Sequence, residues 1–265
     1  VKKAVSKQAK FAKKLANTTV PDENDTSRGH LHPIASSILM RILYAARMAR
    51  FDLLRAVNKL ASNVAFWNAD ADQRLHRLVG YIKSSLKVRQ IGWIGDEPKD
   101  LEPHDYADAD FAGCKRTLRS TSGIQHQLEG PRSCFPLSAM SKRQAHVNDS
   151  TPGAELHAIH KCVKEFSIPS LDIWEYVLPS IRGVLHEDNT TCISAIKTGK
   201  NPTMRYLQRS GGVSIAFLHE HLNKVNPKIP FRVEYTDSKL MVADIHTKGF
   251  TEAKKWQHAQ DLANI

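Results

Sequence analysis

Apolar side chains recur at helical spacing through the first third of the chain. Between Ile34 and Asn63 they fall at Ile38, Ile42, Ala45, Ala46 and Ala49, then at Leu53, Leu54, Val57 and Leu60. That period, near 3.6 residues, predicts helix. Asp70 to Lys87 repeats it, with Leu75, Leu78, Val79 and Ile82 predicted inside and Arg74, Arg77, Lys83 and Lys87 outside. Lys2 to Asn17 spaces Lys and Ala in the same manner. Val20 to Pro33, broken by Pro21, Asn24, Gly29 and Pro33, reads as a polar loop, and Gly95 to Pro103 as a linker. From His104 the period shortens. Asp105 to Phe111, Gly123 to Leu128 and Cys134 to Met140 are turn-bounded runs that predict three successive strands. Thr151-Pro152 opens a helix, with Thr as cap and Pro at the first helical position, running to about Ser167. A second helix covers roughly Ser170 to Ile181. Gly183 to Glu187 predicts a strand, Asn189 to Thr198 a helix, Arg205 to Asn223 a longer helix and Ile229 to Tyr235 a last strand, with helix from Lys239 onward. The order is an α/β layout with a mixed sheet.

Composition narrows the function classes. The 265 residues suffice for one large domain or two modest ones, and 41% hydrophobic with 25% charged residues fits a soluble globular chain. The formal net charge of +11 points to a polyanionic partner. Its distribution matters more. Residues 1–100 carry 18 basic and 9 acidic side chains, whereas residues 101–265 carry 20 and 18. The longest apolar candidate, Ile34 to Ala49, is interrupted by Arg41 and Arg47, so no membrane span is expected. Val1-Lys2-Lys3 leads into a basic stretch and not an apolar segment, so no signal peptide is expected; the missing initial Met is read as a piece of a longer chain. Cys114, Cys134, Cys162 and Cys192 form no C-x-x-C and read as reduced core residues of an intracellular protein. His219-Glu220-His221 lacks the spacing of H-E-x-x-H, and no P-loop, dinucleotide fingerprint or nucleophile elbow is present.

Four acids stand where such a layout can gather them. Asp108 is mid-strand between small alanines. Glu155 lies in the first turn of a helix whose stripe, with Ala158, Ile159, Cys162 and Phe166, is otherwise apolar. A carboxylate on that face is costly unless a charge pairs with it. Asp188 follows a short strand and precedes a helix, and Asp244 begins the last helical region. Singly, each has an ordinary reading as a wet edge position or a helix cap. Together, four converging acids imply divalent cations, with hard oxygen ligands suited to Mg²⁺ or Mn²⁺ and a two-metal site suited to phosphoryl transfer.

Residues 104–250 resemble the ribonuclease H domain of Copia-type (Ty1/Copia, Pseudoviridae) retrotransposon Pol polyproteins. The matching words are Tyr106-Ala-Asp-Ala-Asp-Phe-Ala-Gly113, Arg119-Ser-Thr-Ser-Gly123, Ser141-Lys-Arg-Gln144, Ala154-Glu-Leu-His-Ala158, Asp188-Asn189 with Ser194-Ala-Ile196, Lys200-Asn-Pro202 and Ala243-Asp-Ile-His-Thr-Lys248. Residues 37–90 are similar, more loosely, to the segment after the reverse transcriptase palm. The resemblance implies a ribonuclease H-like mixed five-stranded sheet with flanking helices, preceded by a smaller all-helical segment. It places the boundaries at a basic helical segment 1–95, a ribonuclease H-like domain 104–250 and a helical tail 251–265. It further implies that Asp108, Glu155, Asp188 and Asp244 bind two Mg²⁺ or Mn²⁺ ions and cut the RNA strand of RNA–DNA hybrids. Asn189, Lys142 and Arg143 would touch the sugar-phosphate backbone, and the remainder of the Pol polyprotein would be a partner, in the cytoplasm (within a virus-like particle) or the nucleus. Two words depart from the family pattern. Asp149-Ser-Thr-Pro-Gly-Ala-Glu155 replaces an acidic turn, and Arg209-Ser-Gly-Gly-Val213 lacks the usual basic and imidazole groups. Those departures keep open an alternative, a catalytically decayed nucleic-acid-binding module. A DDE integrase is a more distant third.

Overall fold

The computed structural model describes residues 28–180, 182–223 and 230–265. The expected helix over Lys2–Asn17 lies outside them, as does most of the loop that follows. The described residues divide into two compact units, one comprising residues 28–39 with Leu60–Leu86, the other Met40–Lys59 with the described part of Lys87–Ile265.

The expected first long helix is two. Helix α1 spans His32–Ala49, a tight turn follows at Phe51–Leu53, and α2 spans Leu54–Ala61. At the break Arg50 folds back on the buried Asp52, 2.8 Å away. In the smaller unit, α3 (Ala69–Ser84) is capped by Asn68, whose side chain accepts from the Ala71 N–H. Buried Asp72 ties the segment before α1 to α3, accepting from the main-chain N–H groups of His30 and Leu31 and from the Trp67 indole. Leu75 and Leu78 face inward as the periodicity requires; Val79 is exposed instead.

The larger unit carries the sheet. Strands β1 (Glu102–Asp110), β2 (Thr121–Gly130) and β3 (Ser133–Arg143) form an antiparallel meander, each longer than the apolar runs that predict it. Glu102 and Pro103, expected in a linker, already belong to β1. Helix α4 (Thr151–Cys162) continues through a π-helical turn at Val163–Ser167 into α5 (Ile168–Val177). Its cap is Ser150 and not Thr151, because the Ser150 hydroxyl accepts from the Gly153 N–H. Strand β4 (Gly183–Glu187) pairs with β1 in parallel, and β5 (Phe231–Tyr235) pairs with β4 in parallel. Between them lie α6 (Thr190–Thr198), α7 (Leu207–Gly211) and α8 (Ile215–Leu222). The single long helix expected over Arg205–Asn223 is broken because Gly212 adopts φ 68, a left-handed conformation that ends α7 and is open to glycine. After β5 come two short helices, α9 (Asp244–Thr247) and α10 (Ala253–Leu262).

The strand order is β3-β2-β1-β4-β5. With β2 antiparallel to its neighbours and β1, β4 and β5 parallel, this is the ribonuclease H-like fold that the resemblance implies. One core, including Ala107, Ile124, Leu156, Ile159, Leu185, Ile196, Leu218 and Phe231, packs α4, α6 and α8 against the sheet. A second gathers Tyr106, Met241, Val242, Ile245 and Ala259 around the C-terminal segment. Parallel pairing of β1 with β4 brings the C-terminal ends of these strands side by side. That edge is where an open α/β sheet holds its ligands.

Candidate active site

Each acid reaches that edge by a separate local device. Asp108 lies near the end of β1, opposite Gly123 of β2. The glycine is required by close approach: a Cβ there would stand 2.8 Å from the Ala243 carbonyl oxygen and 2.6 Å from a Thr247 methyl. The 243–247 segment can therefore lie directly on the strand that pairs with Asp108. Glu155 is brought in by α4, whose start is anchored by Gln144. The Gln144 amide donates to the Ser122 hydroxyl and to the Ala154 carbonyl, and its oxygen accepts from Asn148. Gln144, Asn148 and Ser122 are all buried. Asp188 follows β4 directly, and the Ser238 hydroxyl donates to it at 2.6 Å. Asn189 caps α6, accepting from Thr191 and Cys192, while its own N–H donates to Glu187 at 3.0 Å.

Asp108, Glu155 and Asp188 each present an oxygen within 4.8 Å of the others. Asp108 and Glu155 are buried, and they line an open cleft with Asp110, Phe111, Thr151, Asp188, Asn189 and Lys248. Glu155 Oε2 is buried with no hydrogen-bond partner. Burial, reinforced by Asp108, Glu187 and Asp188, holds the Glu155 carboxyl far above the usual carboxylate range, against one Ala109 N–H that favours the anion. Asp108 is likewise raised by burial, with Lys248 and the Thr247 hydroxyl opposing the shift.

Asp244 joins this set through a lysine. The Lys248 ammonium is 2.6 Å from Asp244 Oδ1 and 3.7 Å from Asp108 Oδ1. Burial and then Asp108 push the Asp244 carboxyl up to about 7, with Lys248 pulling the other way. The Thr247 hydroxyl donates to Asp108 Oδ2. Lys142 and Arg143 stand at the end of the edge strand β3 and do not line the cleft.

Three groups at the site escape sequence reasoning. Glu187 is fully buried beside the set, its Oε2 without a partner, and burial raises its carboxyl well above the ordinary range. In sequence it is one polar residue before Asp188, and nothing marks it as inward. Lys248 and Thr247 belong to a recognised word, but their contacts with Asp108 arise only in the folded chain.

The donor set is all oxygen, is buried at its centre and has an orphan acceptor. Those features fit a hard divalent cation.

No protein-family model matches the chain. Over 212 residues, 77% of its length, it is 26% identical to the truncated transposon Ty1-A Gag-Pol polyprotein and to the transposon Ty1-LR2 Gag-Pol polyprotein, both of Saccharomyces cerevisiae. It spans 16% and 11% of the length of these two. Among solved structures, the chain is similar to the LC11 RNase H1 isolated from compost, at 13% identity and TM-score 0.38 over 55% of this chain and 92% of that one. It is also similar to a foamy viral protease-reverse transcriptase in complex with an RNA/DNA hybrid, at 15% identity and TM-score 0.45 over 85% and 26%.

Proposed function

We propose that this chain is the ribonuclease H part of a Ty1/Copia-type Pol polyprotein, a metal-dependent endonuclease that cuts the RNA strand of RNA–DNA hybrids. The observation that carries the reading is the convergence of Asp108, Glu155 and Asp188 within 4.8 Å at the cleft edge of β1 and β4. Three carboxylates at that separation repel one another, and a bound cation relieves the repulsion. Asp108, Glu155 and Asp188 would hold one Mg²⁺ or Mn²⁺, and Asp108 with Asp244 a second. Bound there, the ions would lower the pKa of water and neutralise charge on a transferring phosphoryl group.

The chain's own residues would do the rest. Buried Asp108 and Glu155 present their oxygens from a sheet and a helix and so need little reorganisation. Lys248 keeps Asp108 and Asp244 together and offers a positive charge beside them. Asn189, at the mouth, would contact the sugar-phosphate backbone, with Lys142 and Arg143 meeting the duplex farther out. Recognition would rest on the A-like shape of the hybrid and its 2′-hydroxyls, with little sequence preference.

The testing experiment is cleavage of a labelled hybrid of a few tens of base pairs in Mg²⁺, comparing the natural chain with Asp108→Asn. The variant should lose cleavage by about a hundred- to thousandfold, a loss of the size expected when a central electrostatic group is removed, and should retain most of its hybrid affinity. Undiminished cleavage would overturn the reading. A catalytically silent binding module, favoured by the altered turn before Glu155 and the missing basic and imidazole groups of Arg209-Ser-Gly-Gly-Val213, would instead show no cleavage by the natural chain in Mn²⁺ either.

A further inference from the structure

One side chain from the helical region ahead of the sheet reaches the carboxylate site. Arg55, in α2, donates from Nε to the Thr247 main-chain oxygen at 2.6 Å. That oxygen belongs to the peptide joining Thr247 to Lys248, and the side chains of these two residues converge on opposite oxygens of one carboxylate. The Thr247 hydroxyl meets Asp108 Oδ2 and the Lys248 ammonium lies 3.7 Å from Asp108 Oδ1. Thr247 ends α9, where carbonyls lack helical partners and an arginine suits their partial negative charge. The guanidinium also attracts Asp110, which lines the same cleft. Gly249 leaves it room, since a Cβ there would stand 3.3 and 3.4 Å from the two Arg55 terminal nitrogens.

We propose that Arg55 is a positioning residue for the metal-binding carboxylates: by clamping the 247–248 peptide it fixes the hydroxyl and the ammonium that orient Asp108. The inference rests on the metal-dependent reading above. It extends the machinery of the site to α2, outside the expected domain boundary of 104–250.

The test uses the full chain and two readouts, Mn²⁺ binding by calorimetry without nucleic acid, and steady-state hybrid cleavage. Arg55→Ala should weaken Mn²⁺ binding by about 10- to 100-fold, as the loss of an outer-sphere partner typically does. It should lower kcat by a similar factor and leave KM for the hybrid unchanged. Arg55→Lys keeps the charge without the guanidinium geometry and should also weaken Mn²⁺ binding, by about tenfold, which secures the result if the alanine variant folds poorly. In a cycle with Thr247→Val the double variant should lose less than the two single losses combined. Natural Mn²⁺ affinity in both Arg55 variants, or a raised KM with natural Mn²⁺ affinity, would overturn the inference. Asp108→Asn separates the two levels: if it too binds Mn²⁺ like the natural chain, the carboxylate reading itself fails.

Discussion

Glu155 places a carboxylate inside an apolar helix face, and the structure gives its second oxygen nothing to bind. This was the residue most legible in the sequence, because an acid in the stripe of Ala158, Ile159 and Cys162 contradicts the pattern around it. Glu187 was not legible, since a polar residue at a strand end is ordinary until its neighbours are known. The electrostatics have a definite sign. A carboxyl whose native pKa is raised binds its proton more tightly folded than unfolded, so stability falls as pH climbs from the unfolded value, about 4, through the folded one. For Asp244 that fall is complete near 7; for Asp108 and Glu155 it adds in the same direction. Without divalent cations, melting temperature should therefore fall between pH 5 and pH 8, and Mg²⁺ should raise it more at pH 8 than at pH 5. Scanning fluorimetry in chelator and in Mg²⁺ checks both halves. Glu155→Gln removes a carboxyl that burial forces to take up a proton at neutral pH. It should stabilise the cation-free protein by about 1 kcal/mol, within the usual range for stabilising changes at strained functional sites, and abolish the Mg²⁺-induced rise. A destabilised Glu155→Gln would show that the carboxylate is instead held by partners worth keeping.

At the scale of elements, the period of apolar residues located every strand and most helices, because each packs one face on a core. What it could not locate were ends and breaks set by single groups. The cap of α4 is Ser150 because its hydroxyl, one residue before the expected cap, is the one that meets an orphan N–H. The split at Gly212 follows from a left-handed residue that composition already made cheap. Gln144 belongs to the Ser141-Lys-Arg-Gln144 run, yet its task, joining β2 to the start of α4, appears only with Ser122 and Ala154 beside it. Gln144→Ala leaves the buried Asn148 amide without its acceptor and the buried Ser122 hydroxyl without this donor, and takes a second donor from the Ala154 carbonyl. It should cost about 2 kcal/mol, the price of stranding buried polar groups, and lower cleavage through Glu155. Denaturant unfolding with parallel activity assays tests this; cleavage unaffected at equal fold population would separate α4 anchoring from the site. Ser150→Ala should cost about 1 kcal/mol, as loss of an N-cap does.

For the molecule as a whole, the uneven charge becomes a statement about partners. The excess of basic groups lies in residues 1–100, while the acidic site belongs to the remainder. If phosphate contacts come from the basic part, hybrid affinity should fall steeply with salt, by roughly a thousandfold between 50 and 200 mM for about six contacts. Replacing Arg77, Lys83 and Lys87 by Glu should flatten the slope of log affinity against log salt in anisotropy titrations, and an unchanged slope would assign the contacts elsewhere. The strand order carries one more consequence, a matter of timing. The β1–β2–β3 meander pairs residues near in sequence, but β1 meets β4 only when His104 finds Val184 across the intervening helices. Local pairings close before distant ones, so Asp188 joins Asp108 late, and the mutual repulsion is met only after most of the chain has collapsed. A cation that needs all three acids has nothing to bind until then. Mg²⁺ should thus act on the unfolding limb of the kinetics, slowing escape from the native state, and leave the rate of its formation nearly untouched.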